Sequence, residues 1–265
     1  MKFIECIQGT PEWHEARNGL VTASLFSEVC IEVGGLDEKQ KTYVDALLSG
    51  VGQKEAMLKA GYAAAPKSKS VAKALEGEIT TDYSDGAKRY ASDLAIERIS
   101  GRMYGIPPKT WLLNRGHEME AHARRLYECR AGAFVTEAGI CVDENRFGYS
   151  TDGLVDDDGL IEIKAPIDSI KIEQMLITSD VSEYMHQIQG GMWLTGRKWC
   201  DFIMYVPDLE SVGADLFVHR IWRDEAFIDE MVTKLARFSS LVAAKEAFFR
   251  SVKNTNAFTQ LKEAA

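Results

Sequence analysis

Two acidic residues and a lysine lie close together around one turn of this 265-residue chain. Tyr149-Ser150-Thr151-Asp152-Gly153 is separated from Leu160-Ile161-Glu162-Ile163-Lys164-Ala165-Pro166 by Asp156-Asp157-Asp158-Gly159, a strong turn signal. Asp152 and Glu162 are each five residues from Asp157, so a hairpin folded there sets them opposite one another. Strand alternation puts Leu160, Glu162 and Lys164 on one face and Ile161 and Ile163 on the other. Two carboxylates that close repel unless a cation sits between them. Hard oxygen ligands at this spacing suit Mg²⁺ or Mn²⁺. A metal held there would polarise a phosphoryl oxygen and activate a water, while the lysine positions that water or stabilises developing charge. The plainer reading of Glu162 and Lys164 is a cross-strand salt bridge.

A D…(D/E)-x-K arrangement is that of a large nuclease superfamily, but the triplet alone is weak. Asp37-Glu38-Lys39 is another match and reads as a solvated charge run. A further carboxylate adds weight. On a helix around Glu120, the neighbours at −7, −4, +3 and +7 are Leu113, Gly116, Ala123 and Tyr127, a largely apolar face. A buried carboxylate needs a partner. A metal is one; Arg115 or Arg124 at helical spacing is the other.

The elements that must position these residues follow from patterning. An extended start leads to a turn at Thr10-Pro11 and then to helices, with Thr22 or Ser24 suited to cap a helix from Leu25 to Cys30. Helices are predicted at 39–48, 53–60 and 69–75, from about Asp82 to Ser100, and from Lys109 to Arg130, with a boundary at Pro107-Pro108. Strands follow at 134–136, 139–142, 148–151 and 160–164. Two helices, near 170–177 and 182–195, precede strands at 200–206 and 214–221. A closing helix, about Asp224 to Phe249, aligns Phe227, Met231, Leu235, Phe238 and Leu241 on one side. The order predicts an α/β fold with a central mixed sheet flanked by helices.

Composition narrows the function. The chain is 46% hydrophobic, which excludes intrinsic disorder, and no apolar run is long enough to span a bilayer. The start lacks the apolar region of a secretion signal, so a cytoplasmic location is expected. Cys6, Cys30, Cys129, Cys141 and Cys200 are widely spaced and odd in number, which fits reduced thiols and gives no zinc or iron–sulfur signature. The five histidines form no metal set. Trp111, Trp193, Trp199 and Trp222 are expected in the core. The net charge of −9 excludes a uniform basic coat for nucleic acid. Positive charge is local: residues 39–73 hold seven lysines against Asp45 and Glu55, a net +5, leaving −14 elsewhere.

At this point the chain resembles the lambda-exonuclease (YqaJ-type viral recombinase) nucleases of phages and prophages. Four blocks carry the resemblance: Glu12-Trp13-His14-Glu15-Ala16-Arg17-Asn18-Gly19-Leu20-Val21-Thr22-Ala23-Ser24; Arg115-Gly116-His117-Glu118-Met119-Glu120-Ala121 through Glu128; the Asp152 and Glu162-Ile163-Lys164 segments; and Tyr184-Met185-His186-Gln187-Ile188-Gln189-Gly190-Gly191-Met192-Trp193. Together they are specific; no single block is. The resemblance implies a restriction-endonuclease-like core over residues 1–265. It implies a Mg²⁺-dependent 5′→3′ exonuclease on linear duplex DNA that leaves 3′ overhangs for recombination, with Mn²⁺ substituting. It makes Asp152, Glu162 and the backbone oxygen of Ile163 metal ligands, with Glu120 acting on the metal or its waters. Lys164 would act on the attacking water, and Gln187 and Tyr184 would lie in the site. Arg17 and Ser24 would hold the 5′-phosphate, and a guanidinium beside a hydroxyl at a helix start is a sound phosphate pocket. Read without the family, Ser24 is a cap and Arg17 a surface charge. The resemblance also implies a ring-shaped homotrimer around DNA and a single-strand annealing protein as partner, with no membrane involvement.

One segment departs from the family. The basic stretch from about Leu36 to Glu78 is longer than its counterpart, and its pattern looks like the helix-turn-helix of phage terminase small subunits. A helical insertion at 37–77 is expected, with Lys54, Lys59, Lys67 and Lys69 as candidate DNA contacts near the channel mouth; the alternative is a solvated hairpin. Two rival functions share the motifs: another nuclease on the same core (an endonuclease or a 3′-acting enzyme), and a catalytically silent DNA-binding or packaging adaptor.

Overall fold

The computed structural model describes residues 1–105 and 111–252. These divide into two compact units, one of Met1–Cys30 with Arg89 onward, the other of Ile31–Lys88. In chain order the elements are β1 (Lys2–Ile4), α1 (Pro11–Arg17), β2 (Val21–Thr22), α2 (Phe26–Cys30), β3 (Glu32–Gly34), α3 (Glu38–Leu48), α4 (Gln53–Ala60), α5 (Lys69–Leu75), β4 (Thr81–Tyr83) and α6 (Asp85–Ser100). After these come α7 (Trp111–Ala131), β5 (Val135–Thr136), β6 (Ile140–Val142), β7 (Phe147–Ser150), β8 (Gly153–Val155), β9 (Gly159–Lys164), α8 (Ser169–Thr178), α9 (Met185–Thr195), β10 (Trp199–Tyr205), β11 (Leu216–Trp222) and α10 (Glu225–Ser251).

The larger unit is built on a five-stranded mixed sheet in the order β11-β10-β9-β8-β5, in which β9 and β10 run parallel and the other pairs antiparallel. A second sheet, β1-β6-β7-β2, lies in the same unit. The β8–β9 hairpin pairs Val155 with Gly159 and Gly153 with Ile161. That register is centred on Asp157, as the turn signal requires. Alternation then sorts the two sides of β9. Ile161 and Ile163 pack with Val155 and Ile203 against Ala123 and Tyr127 of α7. The opposite side carries Glu162, which Gln187 of α9 reaches. Two glycines let α9 come this close: a Cβ at Gly190 would lie 2.6 Å from the Phe26 ring, and one at Gly191 2.6 Å from the Tyr149 ring.

Local signals explain most element ends. Thr10 caps α1 with Pro11 in its first turn, and Asp224 caps α10. In the smaller unit Asp37 and Gln40 form a capping box for α3, and Ser68 caps α5. The bounds of this unit lie outside 37–77 because β3 pairs with β4.

Some expectations need correction. No side chain caps a helix at Thr22 or Ser24: a 3-10 turn over Ala23–Leu25 comes first, and Thr22 Oγ1 lies 3.3 Å from Ser24 Oγ. The buried stripe of α10 is Ile228, Met231, Leu235, Phe238 and Val242, so Phe227 and Leu241 flank it rather than lead it. Trp111 and Trp222 are exposed rather than core; Trp222 takes an outward position at the end of an edge strand. The Pro107-Pro108 boundary, Lys109 and the Leu113 side chain lie outside the described residues. The five cysteines are free, and no described helix is long and apolar enough to cross a membrane.

One buried charge cluster makes a stability prediction. Asp201 of β10, 3% exposed, accepts from Tyr127 Oη at 2.7 Å and from Arg220 Nε and Nη2 at 2.7 and 2.8 Å. The Arg220 guanidinium also stacks 3.7 Å over the Trp199 ring. Arg220→Ala leaves Asp201 buried with one neutral donor. Because Arg220 is itself half exposed, the expected loss is about 2 kcal/mol rather than the full value of a buried pair. Chemical denaturation should show the midpoint falling at unchanged slope.

Candidate active site

The expected catalytic residues come from four elements. Asp152 follows β7, Glu162 and Lys164 are on β9, Glu120 is on α7, and Gln187 is on α9. A cleft of about 320 Å³ is lined by all five, and Arg17 and Ser24 line it too. Tyr184 does not line it. Its ring stands 5.7 Å from Lys164 Nζ and packs 5.0 Å from Phe202.

Glu162 is 1% exposed and fully engaged. Oε1 accepts from Lys164 Nζ at 2.6 Å and Gln187 Nε2 at 2.5 Å, and Oε2 accepts from Tyr149 Oη at 3.0 Å. The ion pair of Glu162 and Lys164 is thus present, within one strand and inside the cleft. Asp152 is 7% exposed, and its Oδ2 accepts the Ile163 backbone N–H at 2.7 Å. Burial above all, with the charges of Glu162 and Glu120, holds the Asp152 carboxyl well above the usual range, against the pull of Lys164 and the Ile163 N–H. Glu120 is raised too, chiefly by burial, with Glu162 adding to it and His117 and Lys164 opposing. At Lys164 burial lowers the ammonium, but Glu162 and Asp152 outweigh it, so the side chain is held charged.

Three carboxylates therefore share the cleft with a single ammonium, and Asp152 and Glu120 are both raised by burial and by the charge of Glu162. The excess negative charge and the hard oxygen donors fit a divalent cation. Among the described residues no three His, Cys, Asp or Glu side chains already form a metal-binding group.

Also lining the cleft, Arg17 is half-buried at the last position of α1, with its Cζ 4.3 Å over the Trp13 ring. The Trp13 indole N–H donates to Ser150 Oγ at 2.8 Å. Burial lowers the Arg17 pKa, while Tyr90 and Glu97 act to raise it. Among the described residues its guanidinium makes no ion pair. Glu120 makes none either, although Arg124 and Arg115 are near in sequence. Arg124 pairs with Glu137, and Arg115 donates to the Ala165 carbonyl at 2.7 Å.

Sequence reasoning missed Tyr149, Trp13 and Ser150. Each lay inside a quoted motif block, but only the fold reveals their contacts, which span 13 residues for Tyr149 to Glu162 and 137 for Trp13 to Ser150.

Comparison with known proteins agrees with this architecture. The crystal structure of an alkaline exonuclease, LHK-Exo, from Laribacter hongkongensis is 30% identical, with a TM-score of 0.63 over 91% of this chain and 96% of that one. The same protein in complex with dAMP matches at 29% identity with the same TM-score and coverage. A phage-related exonuclease from Haemophilus somnus 129PT, 16% identical with a TM-score of 0.53 over 86% of this chain and 100% of that one, shares the fold. Curated protein sequences give no match. The YqaJ-like viral recombinase domain matches residues 12–198, which takes in all four motif blocks and every residue of the cleft except Gln8. With its architecture and its motifs in agreement over most of its length, the chain belongs to the YqaJ-like viral recombinase family.

Proposed function

We propose that the chain is a metal-dependent exonuclease that degrades linear duplex DNA from the 5′ end and leaves 3′ single-stranded overhangs for phage-type homologous recombination. The observation that carries the reading is that one cleft is lined by Glu120, Asp152, Glu162, Lys164 and Gln187 together with Arg17 and Ser24. The relatives described as exonucleases support it, and one of them holds dAMP, a deoxynucleoside monophosphate.

In this reading Asp152, Glu162 and the Ile163 backbone oxygen hold Mg²⁺, with Mn²⁺ substituting, and Glu120 acts directly or through water. When bound, the cation polarises the phosphoryl oxygen and lowers the pKa of water. Lys164, kept as an ammonium, donates to the attacking water and to the charge growing on the phosphate. Gln187 fixes Glu162 and Lys164 at their present separation, and Tyr184 walls the lysine on its outer side. Water adds to phosphorus in line, and the bond to the 3′-oxygen of the terminal nucleotide breaks. The products are a 5′-mononucleotide and a strand that again begins with a 5′-phosphate. Arg17 and Ser24 hold that phosphate, which sets which end is cut. A homotrimer encircling the duplex reconciles the acidic total with a DNA substrate, with positive charge inside and negative outside. A single-strand annealing protein is the expected partner, in the cytoplasm of a bacterial host.

The test is digestion of linear duplex DNA in Mg²⁺ with separate 5′-end and internal labels. Release of the 5′ label first, as mononucleotide, is expected. Internal nicks appearing first would replace this reading with an endonuclease, early release of a 3′ label with a 3′-acting enzyme, and binding without cleavage in either metal with an adaptor.

A further inference from the structure

None of the expected catalytic residues falls in the compact unit Ile31–Lys88, yet this unit has a core and a charge pattern of its own. Tyr43, Val44 and Ala46 of α3 pack with Ala56 and Ala60 of α4 and Val71 of α5. The alanines let the helices approach closely. Between α3 and α4 the turn Ser49-Gly50-Val51-Gly52 places Gly50 at φ +87°, a conformation that favours glycine. Two short helices packed across such a turn suit a helix-turn-helix, in which the second helix offers its outward side.

We propose that this unit is a second binding site for duplex DNA, with α4 and the α4–α5 connection as its contact surface. At 100° per residue, Lys54 and Leu58 lie on the side of α4 opposite the buried Ala56 and Ala60. Leu58 is 81% exposed. Beside a lysine on the outward side of a second helix, a leucine suits the methyl edge of a base pair in the major groove. Lys54, Lys67 and Lys69 are exposed, and among the described residues they make no ion pair. Lys59 is the weaker contact, being tied to Glu55 at 3.3 Å. From Gln53 to Lys73 the chain has five lysines and one glutamate, in a protein of net charge −9. Such a concentration on an acidic molecule matches a polyanion, and in a helix-turn-helix the second helix is the one that enters the major groove of a duplex. The proposal does not depend on the nuclease reading.

The experiment is binding of the full chain, without divalent metal, to covalently closed circular duplex DNA. Such DNA has no ends, so a pocket for 5′-phosphate has no ligand on it. The unsubstituted protein is expected to bind with an affinity that falls as salt rises. Simultaneous Lys54→Ala, Lys67→Ala and Lys69→Ala should weaken binding about tenfold or more. It should also flatten the log–log salt dependence by about 2.7, from roughly 0.9 per phosphate contact. The three corresponding Lys→Arg substitutions should restore both. Equal affinity and slope in the alanine variant would overturn the proposal. So would absence of binding by the unsubstituted protein, failure of the arginine variant to restore it, or tighter binding to RNA than to the duplex.

Discussion

Asp152→Asn is expected to abolish DNA cleavage while making the metal-free protein more stable. Both effects arise from the same burial. The carboxylate is 7% exposed, and its pKa is pushed well up, first by desolvation and then by Glu162 and Glu120. An amide keeps an oxygen to accept the Ile163 N–H and removes one of three crowded negative charges. The gain is on the order of 1–2 kcal/mol at pH 8, or roughly 2–8 °C in melting temperature for a chain of this size. The sign fixes the pH dependence. A carboxyl whose pKa is higher folded than unfolded binds protons more tightly in the folded state. Its favourable contribution is complete below the unfolded value, near 4, and is lost as pH rises through the folded value. The stability of the metal-free wild type relative to the variant should therefore fall on going from pH 4 to pH 8. Added Mg²⁺ should raise the wild-type melting temperature by mass action and leave the variant nearly unmoved. Cleavage should fall on the order of 10³-fold or more, the equivalent of about 4 kcal/mol of transition-state stabilisation. Thermal melts at the two pH values, with and without Mg²⁺, and a rate on linear duplex DNA check both halves. A variant within tenfold of the wild-type rate would remove Asp152 from the ligand set. One that melts lower than wild type at pH 8 without metal would show that the crowding is relieved in another way.

What was legible in the sequence was local. The hairpin register was visible because the aspartate-rich turn and the alternating strand fix it within a dozen residues, and Gly153 does pair with Ile161. The caps at Thr10-Pro11 and Asp37-Gln40 were missed, the first reading as a turn and the second as part of a charge run, although in each a capping residue coincides with a proline or glutamine. The 3-10 turn at Ala23–Leu25 was not legible either, since a threonine and a serine two residues apart offer competing caps and the side chains pair with each other instead. The middle of the α10 stripe, Met231, Leu235 and Phe238, was legible, but its ends fall on Ile228 and Val242 rather than Phe227 and Leu241, because both flanks are apolar and the packing against α2 and α9 decides which side turns in. The set of acids and the lysine was legible, and so was the pairing of Glu162 with Lys164, but the contact of Tyr149 was not. Tyr149 reaches Glu162 only because β7 lies beside α9, where Gly191 leaves room for the ring. Periodicity carries no such information.

The contact between Trp13 and Ser150 gives the second large effect. Ser150 is two residues before Asp152, and its hydroxyl holds the indole on which Arg17 rests. The guanidinium is thereby placed relative to the carboxylates by rigid groups rather than by its own flexible stem. It is half-buried, with no ion pair among the described residues, and burial disfavours its charge. An anion arriving there would be bound by a desolvated cation, the condition in which a charge-assisted hydrogen bond contributes most, about 1.5–3 kcal/mol. Arg17→Ala should therefore lower kcat/KM on 5′-phosphorylated ends by roughly 10- to 150-fold, the same energies converted at 1.4 kcal/mol per tenfold. Ends carrying a 5′-hydroxyl should change little, so the preference between the two should collapse toward one. Trp13→Phe keeps a ring under the guanidinium but loses the bond to Ser150, and should give an intermediate preference. Every cut exposes a new 5′-phosphate, so the same pocket is refilled at each step, and Arg17→Ala should also shorten the number of nucleotides removed per binding event. Equal losses on phosphorylated and hydroxyl ends would mean that Arg17 supports α1 rather than the phosphate. An unchanged preference would move the choice of end to other residues.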